Sequence, residues 1–65
     1  MEIYIYDEGP FYDTSDETAV FESYDAAVNY ALDNGFEAGP TPYYFDDEES
    51  CRWASIRGPF KINGG

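Results

Sequence analysis

Histidine is absent from this chain, cysteine occurs once, at Cys51, and lysine and arginine together occur three times. Each shortage removes a class of function. With no His and one thiol, neither a His/Cys zinc site nor an internal disulfide can form. The commonest general acid–base group is missing as well. Three cations cannot neutralise a run of phosphates, so direct nucleic-acid binding is excluded on charge. No apolar run approaches the roughly 20 residues of a membrane span. The opening Met1, Glu2, Ile3 has neither the basic start nor the apolar stretch of a leader peptide. A lone thiol fits a reducing cytoplasm.

What is present is acid and aromatic side chain. Among 65 residues there are 14 Asp and Glu, a net charge of −11, and 20% aromatics, of which seven are Tyr, five Phe and one Trp. High charge alone would suggest disorder. Each aromatic, however, buries about 150–250 Å², an efficient way to build a core in a chain this short. The expectation is one folded acidic domain over residues 1–65, with 63–65 frayed.

The order of the charges adds to their sum. All 14 acids and no base fall in residues 1–50; Arg52, Arg57 and Lys61 follow. Ordinary surfaces mix both signs, and a single-sign field opposes folding through self-repulsion. High-salt adaptation is one explanation for such a field; a use for the charge is the other.

Glu2 to Tyr6 alternates and reads as a strand with Ile3 and Ile5 facing the core, broken by Asp7 to Pro10. Ala19 to Phe21 reads as a second strand pairing with the first. Ser23 is an N-cap, Gly35 a left-handed stop, and Tyr24, Ala27, Val28, Ala31 and Leu32 form a helical stripe, which predicts a helix over 24–34. Truncating Leu32 is then expected to be severe. Strands follow at 42–45, 51–57 and 60–62, the first two joined around the acidic tip Asp46 to Glu49, with Gly58 and Pro59 turning the chain. The fold class expected is α+β, one helix on a mainly antiparallel sheet of four or five short strands.

Catalysis has little support. Cys51 follows four acids, which raise a thiol's pKa, and the carboxylates lack an evident groove. Asp13, Asp16 and Glu17, or Asp46 to Glu49, offer oxygen ligands, but neither run matches a calcium loop or has its glycine. No cofactor and no metal is expected. The acids suit a protein partner instead. Asp25 and Asp33 stand about 12 Å apart along the helix, and duplex DNA carries one charge per roughly 1.7 Å. Carboxylates on a rigid scaffold therefore imitate phosphates and attract a basic DNA-binding surface. Tyr4, Tyr6, Tyr12, Tyr30, Tyr43 and Tyr44 exceed what a small core hides and suggest a binding face. Arg52 and Arg57 are expected to pair with nearby acids.

In size, charge bias, tyrosine content and single-helix pattern, the chain resembles the small acidic DNA-mimic inhibitors of bacteriophages, above all the anti-CRISPR proteins of type I systems. Anti-restriction proteins and uracil-DNA glycosylase inhibitors belong to the same class. The resemblance covers the whole chain and rests on no shared motif. It implies a non-catalytic protein in the bacterial host cytoplasm that blocks DNA from a CRISPR effector subunit. The contact would be spread over Asp13, Asp16, Glu17 and Asp46, Asp47, Glu48 and Glu49, with Asp25 and Asp33 as an alternative face. An antitoxin-like or halophilic interaction domain is the competing class.

Overall fold

A computed structural model describes residues 1–62. Five strands and one helix follow in the order β1 (Glu2–Pro10), β2 (Glu17–Phe21), α1 (Tyr24–Asp33), β3 (Glu37–Ala38), β4 (Tyr44–Asp47) and β5 (Arg52–Lys61). The strands form one antiparallel sheet, ordered β2-β1-β5-β4-β3, and the helix packs on one face of it. The expected α+β class is the observed one.

The helix is bounded as the sequence dictates. Ser23 Oγ accepts the Ala26 N–H at 3.1 Å, and Asp25 lies in the first turn. At the far end Gly35 adopts φ 91°, and the N–H groups of Gly35 and Phe36 donate to the Leu32 and Ala31 carbonyls. This is a Schellman stop, and its usual apolar contact is present, since Phe36 and Ala31 are both buried.

The faces differ from the sequence expectation. Tyr6 is 1% exposed and Tyr4 packs against the same core, whereas Ile3 and Ile5 lie half-buried on the opposite face, away from the helix. Alternation fixes which residues share a face but not which face is covered. Register decides it: Tyr6 stands opposite Ala19 and Ile56, and Glu8 opposite Ala54. The two alanines leave room for the phenol ring, Ile56 packs at its side, and the ring also meets Tyr30 edge-on at 4.9 Å between centroids.

The helix stripe is likewise rotated. Ala27 and Ala31 are fully buried, and Tyr24, Val28 and Tyr30 flank them. Leu32 stays 50% exposed, because at 100° per residue it falls outside a face centred on Ala27 and Ala31. Small residues on the helix admit the large rings of Tyr6, Phe36 and Phe45 from below.

Three strand boundaries also move. β1 continues through Asp7 to Pro10, because β5 pairs with it along its whole length. Gly58 and Pro59 do not turn the chain; they form a bulge opposite β1 between Ile3 and Ile5, and β5 runs on to Lys61. The expected strand at 42–45 lies instead at Tyr44–Asp47, and Glu37–Ala38 is a fifth, unanticipated strand. Residues 63–65, expected to fray, lie outside the described residues. Among the described residues, no helix is long and apolar enough to cross a membrane.

Candidate protein-binding site at the acidic end of the sheet

Antiparallel topology collects acids that are distant in sequence. β1 and β4 run toward one end of the sheet, and β2, β3 and β5 run away from it. The β1–β2 loop and the β4–β5 turn therefore sit at the same end. They are tied together: Phe11 N–H donates to the Cys51 carbonyl at 2.8 Å, and the Trp53 indole N–H donates to the Asp13 carbonyl at 3.2 Å. Gly9 lets the loop fold back, since a Cβ there would stand 2.6 Å from the Thr14 carbonyl oxygen. The helix also ends here, with Gly35 beside the Asp47 carboxylate. Ten of the fourteen acids, Glu8, Asp13, Asp16, Glu17, Asp33, Glu37 and Asp46 to Glu49, share this end.

Thus Asp13, Asp16 and Glu17 and the Asp46–Glu49 run, which are separate in sequence, are one neighbourhood. Asp33 joins them. Asp25, in the first turn of the helix, lies toward the other end of the sheet, so the length of the helix separates it from Asp33 and the acidic end. Within β4, Asp46 and Asp47 point to opposite faces, and the turn proper is Glu48 to Cys51. Gly35, Glu37, Asp47, Glu48 and Glu49 line a shallow open pocket of about 330 Å³. Glu37 escapes a reading by charge runs; the signal for it is Gly35, which stops the helix and returns the chain along the acidic tip.

One cation serves this end. Arg52 bonds both Asp16 oxygens at 2.7 and 3.0 Å and Glu8 Oε2 at 3.1 Å. It holds the Asp16 carboxyl below the ordinary Asp range, and the two acids hold the guanidinium firmly protonated. Glu8 is 6% exposed and faces Glu17 across the β1–β2 ladder. Burial raises its carboxyl above the ordinary Glu value and Glu17 adds to this, while Arg52 opposes it. The Tyr6 hydroxyl, 3.5 Å from Glu8 Oε1, is raised in turn by burial and by that charge. Arg52 is thus a structural staple rather than a neutraliser of the exposed tip. Asp46, Asp47, Glu48, Glu49, Glu17, Asp13, Asp33 and Glu37 have no ion pair among the described residues.

The second arginine also pairs as expected. Arg57 Nε and Nη2 donate to Asp7 Oδ2 at 3.1 and 2.8 Å, and the Thr18 hydroxyl donates to Asp7 Oδ1. The tyrosines do not form one face. Tyr4, Tyr6 and Tyr30 belong to the core side, Tyr44 lies on the bare face, and Tyr43 packs on Tyr24, whose hydroxyl donates to the Pro42 carbonyl. Tyr12 alone stands fully exposed beside the acids, at φ 65°. Among the described residues no group of acids is arranged to hold a metal ion.

Comparison with family models, with curated proteins and with solved structures gives no match.

Proposed function

We propose that this chain is an acidic inhibitor that occupies the basic DNA-binding surface of a prokaryotic nucleic-acid enzyme, with a type I CRISPR effector as the first target to test. The observation that carries the reading is the convergence of ten acids on one end of the sheet with Arg52 as their one ion-pairing partner among the described residues. Gathering like charge opposes folding. Ordinary solubility does not need it, since dispersed charge would serve. A rigid negative surface gains from a basic partner through steering and charge complementarity.

The dimensions suit the role. The molecule measures 43 × 21 × 18 Å. The acidic end spans the short axes, 21 × 18 Å, and so matches about six phosphate steps of one DNA strand, at roughly 3.4 Å each. The reading is of a binding protein and not an enzyme: the pocket at this end is open and lined by carboxylates, without the enclosed, mostly apolar walls of a substrate site.

The test is a gel shift with purified effector, guide and target duplex. Saturating protein should abolish the shifted band, and higher NaCl should weaken that effect. Equal DNA binding with and without the protein, for a type I effector and for a restriction enzyme or uracil-DNA glycosylase assayed in parallel, would overturn the reading.

A further inference from the structure

Tyr12 combines a crowded backbone with a ring that the fold does not use. The Asp13 N–H donates to the Pro10 carbonyl at 3.2 Å, which closes a turn over Pro10 to Asp13. Within it Tyr12 has φ 65° while Phe11 keeps a negative φ, the pattern of a type II turn. The third position of that turn ordinarily takes glycine, because a Cβ there crowds the following carbonyl oxygen. Glycine does occupy two other positive-φ positions of this chain, Gly35 and Gly58. Hydrogen bonds hold Tyr12 in place from both sides: Phe11 N–H donates to the Cys51 carbonyl, and the Asp13 carbonyl accepts the Trp53 indole N–H. Cys51, at φ 54°, is the other non-glycine residue with positive φ among the described residues, and its small thiol turns in to the Glu48 carbonyl at 3.6 Å. The Tyr12 ring instead stands fully exposed, with Phe11 as its one aromatic neighbour, edge-on at 6.3 Å between centroids.

We propose that Tyr12 is the aromatic anchor of the acidic surface and stacks on an arginine side chain of the protein bound there. This role rests on the reading that the acidic end binds a basic protein. Strain held in the free protein, with no packing gained in return, is a mark of residues that serve a partner. Tyr is also among the side chains that dominate interface energetics, since two torsions fix a large ring with a polar tip. Charge selects the chemistry that meets the ring. Asp13 is the next residue and has no ion pair among the described residues, and Asp16 and Glu17 follow. These carboxylates repel an anion and draw a cation toward the ring, whose π-face attracts it further. Arginine suits the site better than lysine. Its planar guanidinium stacks flat on an aromatic face and keeps N–H groups free for a neighbouring carboxylate.

The wild type, Tyr12→Phe and Tyr12→Gly have equal net charge, so comparing them isolates the ring from the carboxylates. The experiment is fluorescence anisotropy of a labelled oligo-arginine peptide, and of an oligo-lysine peptide of the same length, titrated with each chain in low NaCl. Urea denaturation of each chain accompanies it. Wild type and Tyr12→Phe should bind oligo-arginine alike, and Tyr12→Gly about two- to five-fold more weakly, the range of an exposed cation–π contact. Binding of oligo-lysine should fall less. The urea midpoint of Tyr12→Gly should equal or exceed that of the wild type, because glycine removes the crowding at φ 65°. Undiminished oligo-arginine binding by Tyr12→Gly, an equal loss with both peptides, or a Tyr12→Phe chain as weak as Tyr12→Gly would overturn the proposal. A lowered midpoint for Tyr12→Gly would do so too, since the ring would then serve the fold. DNA displacement is read separately: a wild type that displaces no duplex removes the proposed target, whereas equal peptide binding by all three chains removes the role of Tyr12 alone.

Discussion

The two ends of the sheet are built from the same strands and differ in almost every surface property. At one end two turns and the helix C-terminus bring together ten carboxylates around a single arginine. At the other, Met1, Val20, Phe60 and Ile62 are exposed and apolar, and Lys61 stands opposite Glu2. The contrast does not follow the order of charges along the chain. Arg52 and Trp53, at the start of the base-containing segment, return to the acidic end and hold it together, while Glu2, Glu22 and Asp25 remain away from it. Where strands reverse matters more than where charges cluster in sequence.

The core that joins the ends should show the largest effects. Phe45→Ala removes a ring that is 3% exposed and should cost about 3–5 kcal/mol in urea denaturation. Leu32→Ala should stay within about 0.5 kcal/mol, as a surface change does. The reverse ranking would restore the stripe that the sequence alone suggests.

Next come the two arginines. Arg52→Ala strands the buried Glu8 and releases Asp16, so it should lower the urea midpoint more than Arg57→Ala, whose partner Asp7 keeps the Thr18 hydroxyl. Equal midpoints would mean that the acidic end needs no staple.

A pH profile sharpens the same point. Because Glu8 is raised in the folded state, folded chains bind its proton more readily than unfolded ones. Stability should therefore fall as pH rises from the ordinary Glu value through the folded value of Glu8. Asp16 is lowered, so its contribution is present above the ordinary Asp value and is lost as pH falls through its folded value. The melting temperature should peak at mildly acidic pH, and Glu8→Gln should flatten the decline on the alkaline side. A maximum at neutral pH in both proteins would contradict this assignment.

The smallest effect belongs to the helix end. Asp33 lies in the last turn, where the dipole disfavours an anion and no basic residue compensates. Asp33→Asn should stabilise by about 0.3–1 kcal/mol in low salt, and the gain should shrink as NaCl is added.

Much of the fold was legible because its signals are local. Ser23 and Gly35 bound the helix, and the strand at Ala19 to Phe21 pairs as expected. The covered face was not legible, because the alternation of Ile3, Tyr4, Ile5 and Tyr6 is apolar on both sides. Only the cross-strand partners Ala19, Ala54 and Ile56 decide it, and these come from distant segments. Pro59 looked like a turn because a bulge that accommodates it has no signature without its partner strand. For the candidate site, the acidic runs were visible, but their union required the Phe11–Cys51 and Arg52–Asp16 contacts, each spanning more than thirty residues.

The central claim is that the location of the acids, and not their number, makes the binding surface. Two triple variants test it at equal charge: Asp47→Asn with Glu48→Gln and Glu49→Gln, against Glu2→Gln with Glu22→Gln and Asp25→Asn. Each removes three negative charges from a net charge of −11. The measurement is displacement of labelled duplex from the purified effector by each variant. The first should lose displacement and the second should keep it at the wild-type level; equal loss in both would contradict the account.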